Sequence, residues 1–98
     1  MRQILIEKYI EPSKKTINNY LTSECWRDTN YKLHSFLGQP ARIDFNKNKQ
    51  IKFQIWCKKG TVHREKGLPA KIWYIHGKKT KEEWFIKGVY IKGINYDI

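Results

Sequence analysis

The sequence predicts a mainly β protein: an antiparallel sheet of stacked β-hairpin repeats, capped by an N-terminal strand and a short helix. Three observations predict it. The first is an internal echo. Trp26, Asn30, His34, Gly38, Pro40, Ala41, Ile43, Phe45 and Asn48 return as Trp56, Gly60, His63, Gly67, Pro69, Ala70, Ile72, Tyr74 and Gly77. From His34 onward the offset is a constant 29 residues, and a third copy starts with Trp84 and Gly88 and then stops. A period of ~20–50 residues marks a repeat architecture whose units bury their apolar faces against each other. The second observation is apolar alternation, and the third is turn chemistry between the alternating runs.

The elements follow in order. Residues 3–10 are rich in β-branched and aromatic types and read as a strand, which Pro12 ends. Ser13 can cap a short helix through Leu21, with Ile17, Tyr20 and Leu21 at i, i+3 and i+4; the competing reading is another strand. Beyond Cys25 the helical signal disappears. Ala41, Ile43 and Phe45 share one face of a strand, as do Ile51, Phe53 and Ile55, and residues 70–74 and 83–87 repeat the period of two. Residues 46–49 and 75–78 read as hairpin turns in which Asn or Gly takes positive φ, and residues 58–61 and 86–89 as turns following a repeat Trp. Gly38–Ala41 and Gly67–Ala70 form corners into the next strand. The expected division is a cap over residues 1–24 and a repeat domain over 25–98, with units at about 26–55, 56–83 and a partial 84–98, all in one domain. Lysine on the outer strands is expected to protect the sheet edges.

The chain of 98 residues fits one small domain, and 14% aromatic residues supply a core without the composition of a disordered chain. The charge is +11 and uneven: residues 1–46 hold seven Lys/Arg and five Asp/Glu, whereas residues 47–98 hold thirteen and four. Such a field favours polyanions, whether nucleic acid, an anionic membrane surface or an acidic protein. Sixteen of the cations are Lys and four are Arg, which departs from the Arg forks of dedicated phosphate recognition. No apolar run reaches the ~18 residues of a membrane span. The N-terminal apolar patch is broken by Glu7, so a cytoplasmic location is expected, with Cys25 and Cys57 as thiols.

The block Trp56-x-x-x-Gly60-x-x-His63-Arg64-x-x-Gly67-x-Pro69-Ala70, continuing to Glu83-Trp84-Phe85-x-x-Gly88, resembles the MORN-related repeats of bacteriophage and giant-virus proteins. The second unit departs by an inserted Leu68 and by Cys57 where an aromatic is usual; the first has Ser35 for the Arg, Gln39 inserted and Asn30 for the Gly. The resemblance covers residues 26–90 and implies a hairpin-repeat β fold, a phage or viral origin, and contact with proteins or with lipid headgroups. It implies no single activity.

His63-Arg64 offers an imidazole and a guanidinium to a phosphate or carboxylate. The structural alternative has His63 bonding a turn backbone while Arg64 packs over an aromatic such as Trp84, and the recurrence of His34 at the same position favours it. Cys25, His34, Cys57, His63 and His76 lack zinc spacing, and Glu82 and Glu83 fall on opposite faces of a strand, so neither metal nor paired-carboxylate chemistry is expected and no cofactor is implied. Lysines interleave with aromatics through the basic half, and Lys71 and Trp73 share a sheet face. The expected function is a small non-enzymatic accessory module, phage or viral, binding a host or viral protein of acidic character through a basic sheet face. The alternative is nucleic-acid binding by Lys and exposed aromatics. The residues expected to carry it are Lys52, Lys58, Lys59, His63, Arg64, Lys71, Trp73, Lys78, Lys79 and Lys81. Two and a half units barely suffice for a stack, so pairing of an open edge in a homo-oligomer is also expected.

Overall fold

The computed structural model describes residues 13–17 and 20–96. The strand expected at residues 3–10 lies outside them. The described residues are mainly β and contain no helix. Where the sequence permitted a capping helix, β1 (Ser13–Ile17) pairs antiparallel with β2 (Tyr20–Cys25). The physical reason is the partner on the far side. Ser23 and Cys25 pair with Asp44 and Arg42 of β3 (Arg42–Phe45), and only an extended segment presents the row of backbone groups this needs. The β-branched Thr16, Ile17 and Thr22 favour the same outcome.

The main sheet continues through β4 (Ile51–Ile55), β7 (Lys71–Ile75), β8 (Lys78–Ile86) and β9 (Val89–Asn95), giving seven strands among the described residues in the order β1-β2-β3-β4-β7-β8-β9, all antiparallel. A two-stranded ribbon, β5 (Cys57–Lys58) and β6 (Thr61–Val62), leaves the sheet between β4 and β7. The molecule is a slab of 45 × 37 × 19 Å.

Register sorts the two faces. Glu24, Ile43, Gln54, Ile72, Glu82 and Ile94 line up across six strands on one face. Ala41, Trp56 and Ala70 join them by alternation, and segments 33–39 and 63–69 fold over this face. The core is therefore one covered face, with Ala41 and Ala70 fully buried and Ile72 and Trp56 nearly so. On the open face Ser23, Asp44, Phe53, Trp73, Lys81 and Asn95 form one row, and Cys25, Arg42, Ile55, Lys71, Glu83 and Gly93 another.

Seven hydrogen bonds of the first unit recur in the second. Trp26 N–H donates to Ala41 O, as Trp56 N–H does to Ala70 O. His34 and His63 N–H donate to Trp26 and Trp56 O, both at 3.1 Å. Ser35 N–H donates to Cys57 O and Arg64 N–H to Phe85 O; Ala41 N–H to Ile55 O and Ala70 N–H to Glu83 O; Gly60 N–H to Leu33 O and Gly88 N–H to Val62 O. The indole N–H groups of Trp56 and Trp84 reach Gly38 and Gly67 O, both at 2.9 Å. Lys59 and Lys87 N–H donate to the Nδ1 atoms of His34 and His63. Each unit is thus locked to the next by one Trp, one His and one turn.

The turns differ from expectation in which residues take positive φ. In the loop joining β3 and β4, Asn46 acts through its side chain, accepting from Asn48 and Gln50 N–H, and Lys49 takes φ 64°. The two-residue connections Lys59-Gly60, His76-Gly77 and Lys87-Gly88 have both residues at positive φ, the geometry of a type I′ hairpin turn. Gly88 has a second constraint, because a Cβ there would meet Thr61 Cγ2 at 3.0 Å.

Candidate functional site

The His-anchored turns build the site. A neutral imidazole has one donor and one acceptor nitrogen. The Nδ1 of His63 accepts from Lys87 N–H at 2.8 Å, so its proton sits on Nε2, which faces Glu65 at 3.4 Å. His34 holds the Lys59 N–H in the same way, with its ring against Phe36. These bonds fix the backbone from which Lys59 and Lys87 project one unit apart.

The two lysines line a cleft of about 350 Å³ with Lys58, Thr61, His63 and Glu65. A neighbouring cleft of about 450 Å³ shares Lys58, His63 and Glu65 and adds His34, Cys57, Arg64 and Lys66. Lys58, Lys59, Lys66 and Lys87 are exposed and make no ion pair among the described residues. The single carboxylate here, Glu65, lies against His63. Lys59, Lys66 and Lys87 all sit at positive φ, a conformation that Asn or Gly adopts more cheaply.

Arg64 lies inside this edge and not on it. Its guanidinium stacks on Trp56 at 3.7 Å, where Trp84 was expected, and donates to Pro69 O at 3.1 Å. Burial pulls it below its ordinary value, opposed by Tyr74 and Glu82. Arg64 is needed to cover Trp56 because residue 64 enters the corner over that ring.

The remaining expected residues fall elsewhere. Lys71, Trp73 and Lys81 share the open face. Trp73 packs on Phe53 at 5.0 Å, Lys81 Nζ lies 5.1 Å over Trp73 and 3.3 Å from Glu83, and Lys71 Nζ lies over Phe85. Lys79 is on the covered face, where it and the Tyr96 hydroxyl satisfy the buried carboxylate of Glu82. Lys78 stands exposed beside the β7–β8 turn. Lys52 borders a third hollow, of about 530 Å³, beside β3 with Lys15, Arg42 and Lys47. The ten residues therefore make several groups. The loop edge unites Lys58, Lys59 and His63, and adds Lys66 and Lys87, which were not among the ten. The signal that finds them is the Lys-Gly pair recurring at 59–60, 66–67 and 87–88.

Among the described residues no three His, Cys, Asp or Glu side chains converge to hold a metal. Cys57 is buried, and burial pushes its thiol above the ordinary value, with Lys71 opposing, which disfavours a nucleophilic thiolate. Glu82 and Glu83 face opposite sides of β8, each in its own ion pair. No described helix is long and apolar enough to cross a membrane. Comparison with protein-family models, with curated proteins and with solved structures finds no match.

Proposed function

We propose that the chain is a non-enzymatic binding module for an acidic protein partner, engaged through the lysine-rich loop edge. One observation carries this reading: Lys58, Lys59, Lys66 and Lys87 gather on one edge without ion-pair partners among the described residues, three of them held at positive φ by turns. Left-handed backbone at non-glycine residues costs roughly 1 kcal/mol each; Tyr31, Leu37, Lys49 and His76 share it, so it fixes these turns, and the unpaired charge is what points to a partner. The open sheet face, by contrast, is largely self-neutralised by Arg42–Asp44 and Lys81–Glu83.

A protein partner fits better than a single-stranded nucleic acid. Base stacking needs free aromatic faces. Here a cation lies over Trp56, Trp73, Trp84 and Phe85, and the exposed rings without one among the described residues, Tyr90 and Tyr96, lie away from the loop-edge clefts, at β9 and beyond its end. Phosphate forks need free guanidinium groups. Arg27 covers Tyr31, Arg42 binds Asp44 and Arg64 is turned inward. The free state of Cys25 and Cys57 fits a reducing cytoplasm. The resemblance to phage and giant-virus repeats supports an accessory role in a host cell.

The test is a competition at fixed salt between poly-L-glutamate and an oligothymidylate. Tighter binding of poly-L-glutamate, lost in Lys58→Glu with Lys59→Glu and Lys87→Glu, is the expected result. Preference for the oligonucleotide, with affinity falling steeply as salt rises, would establish the nucleic-acid reading instead.

A further inference from the structure

The two edges of the sheet are unlike. Among the described residues β1 is one edge, five residues long with Lys14 and Lys15 in its centre, which matches the expected protection by lysine. The other edge among the described residues, β9, has one central lysine, Lys92, and an extra residue, Ile91, where its register with β8 shifts, but it is longer and more apolar. All seven residues of β9 are exposed, and its side chains include Val89, Tyr90, Ile91 and Ile94. A long apolar edge strand offers its free backbone groups to another chain.

We propose that β9 docks an extended acidic segment of the partner protein, which adds to the sheet as one further antiparallel strand. This rests on the reading of the chain as a binder of acidic protein, and deepens it by naming the mode. Main-chain bonding along an edge supplies affinity, and the side chains select the partner. Two cations do the selecting. Lys92 sits at the midpoint of β9, its ammonium 4.7 Å over Trp84 and without a carboxylate partner among the described residues. Lys87 sits in the turn that starts the strand and also lines the loop-edge cleft, so the edge and the cleft are continuous. A segment antiparallel to β9 carries its C-terminal carboxylates into that cleft.

The same lysine argues against a second copy of this chain. A two-fold antiparallel pairing centred on residues 89–95 sets Lys92 directly opposite its own copy, and each copy carries +11. Like charges directly opposed across strands are destabilising. A glutamate in the incoming segment reverses the sign of that contact.

The probe is a nine-residue peptide of alternating glutamate and valine, measured by fluorescence anisotropy together with hydrogen exchange of the full chain. The peptide is expected to bind and to slow exchange across residues 89–95. Methylating all its backbone amides is expected to abolish binding, and a lysine–valine peptide to fail. Lys92→Glu is expected to weaken the acidic peptide by up to about fivefold and to admit the lysine–valine peptide, a gain that misfolding cannot mimic. Peptide binding without slowed exchange at 89–95 would overturn the edge while leaving the acidic-partner reading standing. Failure of both this peptide and poly-L-glutamate would remove that reading and the edge with it. A dimer in sedimentation, with β9 amides protected before any peptide is added, would make a second copy the occupant and overturn the proposal.

Discussion

The first and second corners of the stack share one hydrogen-bond frame and differ in what they hang on it. In the first, His34 is buried against Phe36, and the Ser35 hydroxyl accepts from Cys57 N–H at 3.1 Å. In the second, the His63 side chain is nearly as buried, 10% exposed, but faces Glu65 in place of Phe36, and Arg64 stands where Ser35 stood. The frame is scaffold in both. The changed residues turn a sealed joint into a charged cleft. A third corner does not form. Ile91 occupies the position of the repeat His, one unit on from His63, and the chain continues as β9 instead of turning away.

The largest expected contrast comes from removing each imidazole. His34→Ala orphans the Lys59 N–H in a part-buried site and leaves a void against Phe36, for a cost of about 3 kcal/mol. His63→Ala orphans the Lys87 N–H where water can replace the acceptor, for about 1 kcal/mol. Urea titration of the two variants measures the gap. Equal costs would mean that neither the Phe36 contact nor the shielding of the Lys59 N–H sets the first corner apart.

Arg64→Ser converts the second corner toward the first. It removes the guanidinium from Trp56 and from Pro69 O, and is expected to cost about 1–2 kcal/mol. Thermal unfolding at equal protein concentration reads this. The reciprocal change, Ser35→Arg, loses the hydroxyl bond to Cys57 and brings a guanidinium to the corner over Trp26, the counterpart of Trp56, so a cost smaller than that of Ser35→Ala would show the same stacking in the first unit.

Next in size are the turn lysines. Lys87→Asn and Lys59→Asn place a residue that tolerates left-handed backbone at the first position of a type I′ turn, and each should stabilise the fold by roughly 0.5–1 kcal/mol. The same changes should weaken binding of poly-L-glutamate. Stability and affinity moving in opposite directions would separate the function of these lysines from their structural role; movement in the same direction would argue that the cleft is only a solvated edge.

The β class and the strands β3, β4 and β7 were legible because alternation and Gly, Pro and Asn punctuation are local signals, whereas β9 and the start of β8 carry no clean alternation and were not legible. Ala41, Ile43 and Ile72 sit on the covered face that their spacing implied. What escaped was set by partners distant in sequence. Residues 13–21 carry a weak helical spacing, and β3 decides them as strand. Arg64 finds Trp56 and not Trp84 because the path of the 63–69 corner, invisible to periodicity, carries it there. Eight of the ten expected site residues are Lys or Arg, but charge in a sequence does not say which face, tip or cleft receives it.

The smallest expected effect is also the cleanest comparison, because two loops share one construction and differ in one titratable atom. Asp28 Oδ1 accepts from Asn30 and Lys32 N–H, while Asn46 Oδ1 accepts from Asn48 and Gln50 N–H. Tyr31 and Lys49 take matching positive φ, 67° and 64°. The Lys32 N–H, with Asn30 N–H and nearby cations, holds the Asp28 carboxyl below its ordinary 3.8, against an opposing desolvation. A depressed acid stabilises the fold above the unfolded value and loses that contribution as pH falls from there through the folded value. Amide exchange at Asn30 and Lys32, corrected for its intrinsic pH dependence, should therefore accelerate below about pH 3.8, while Asn48 and Gln50 stay unchanged because an amide does not titrate there. Asp28→Asn should make the first loop as indifferent to acid as the second. If both loops loosen together, the cause is global unfolding and the Asp28 carboxylate is not the local clasp.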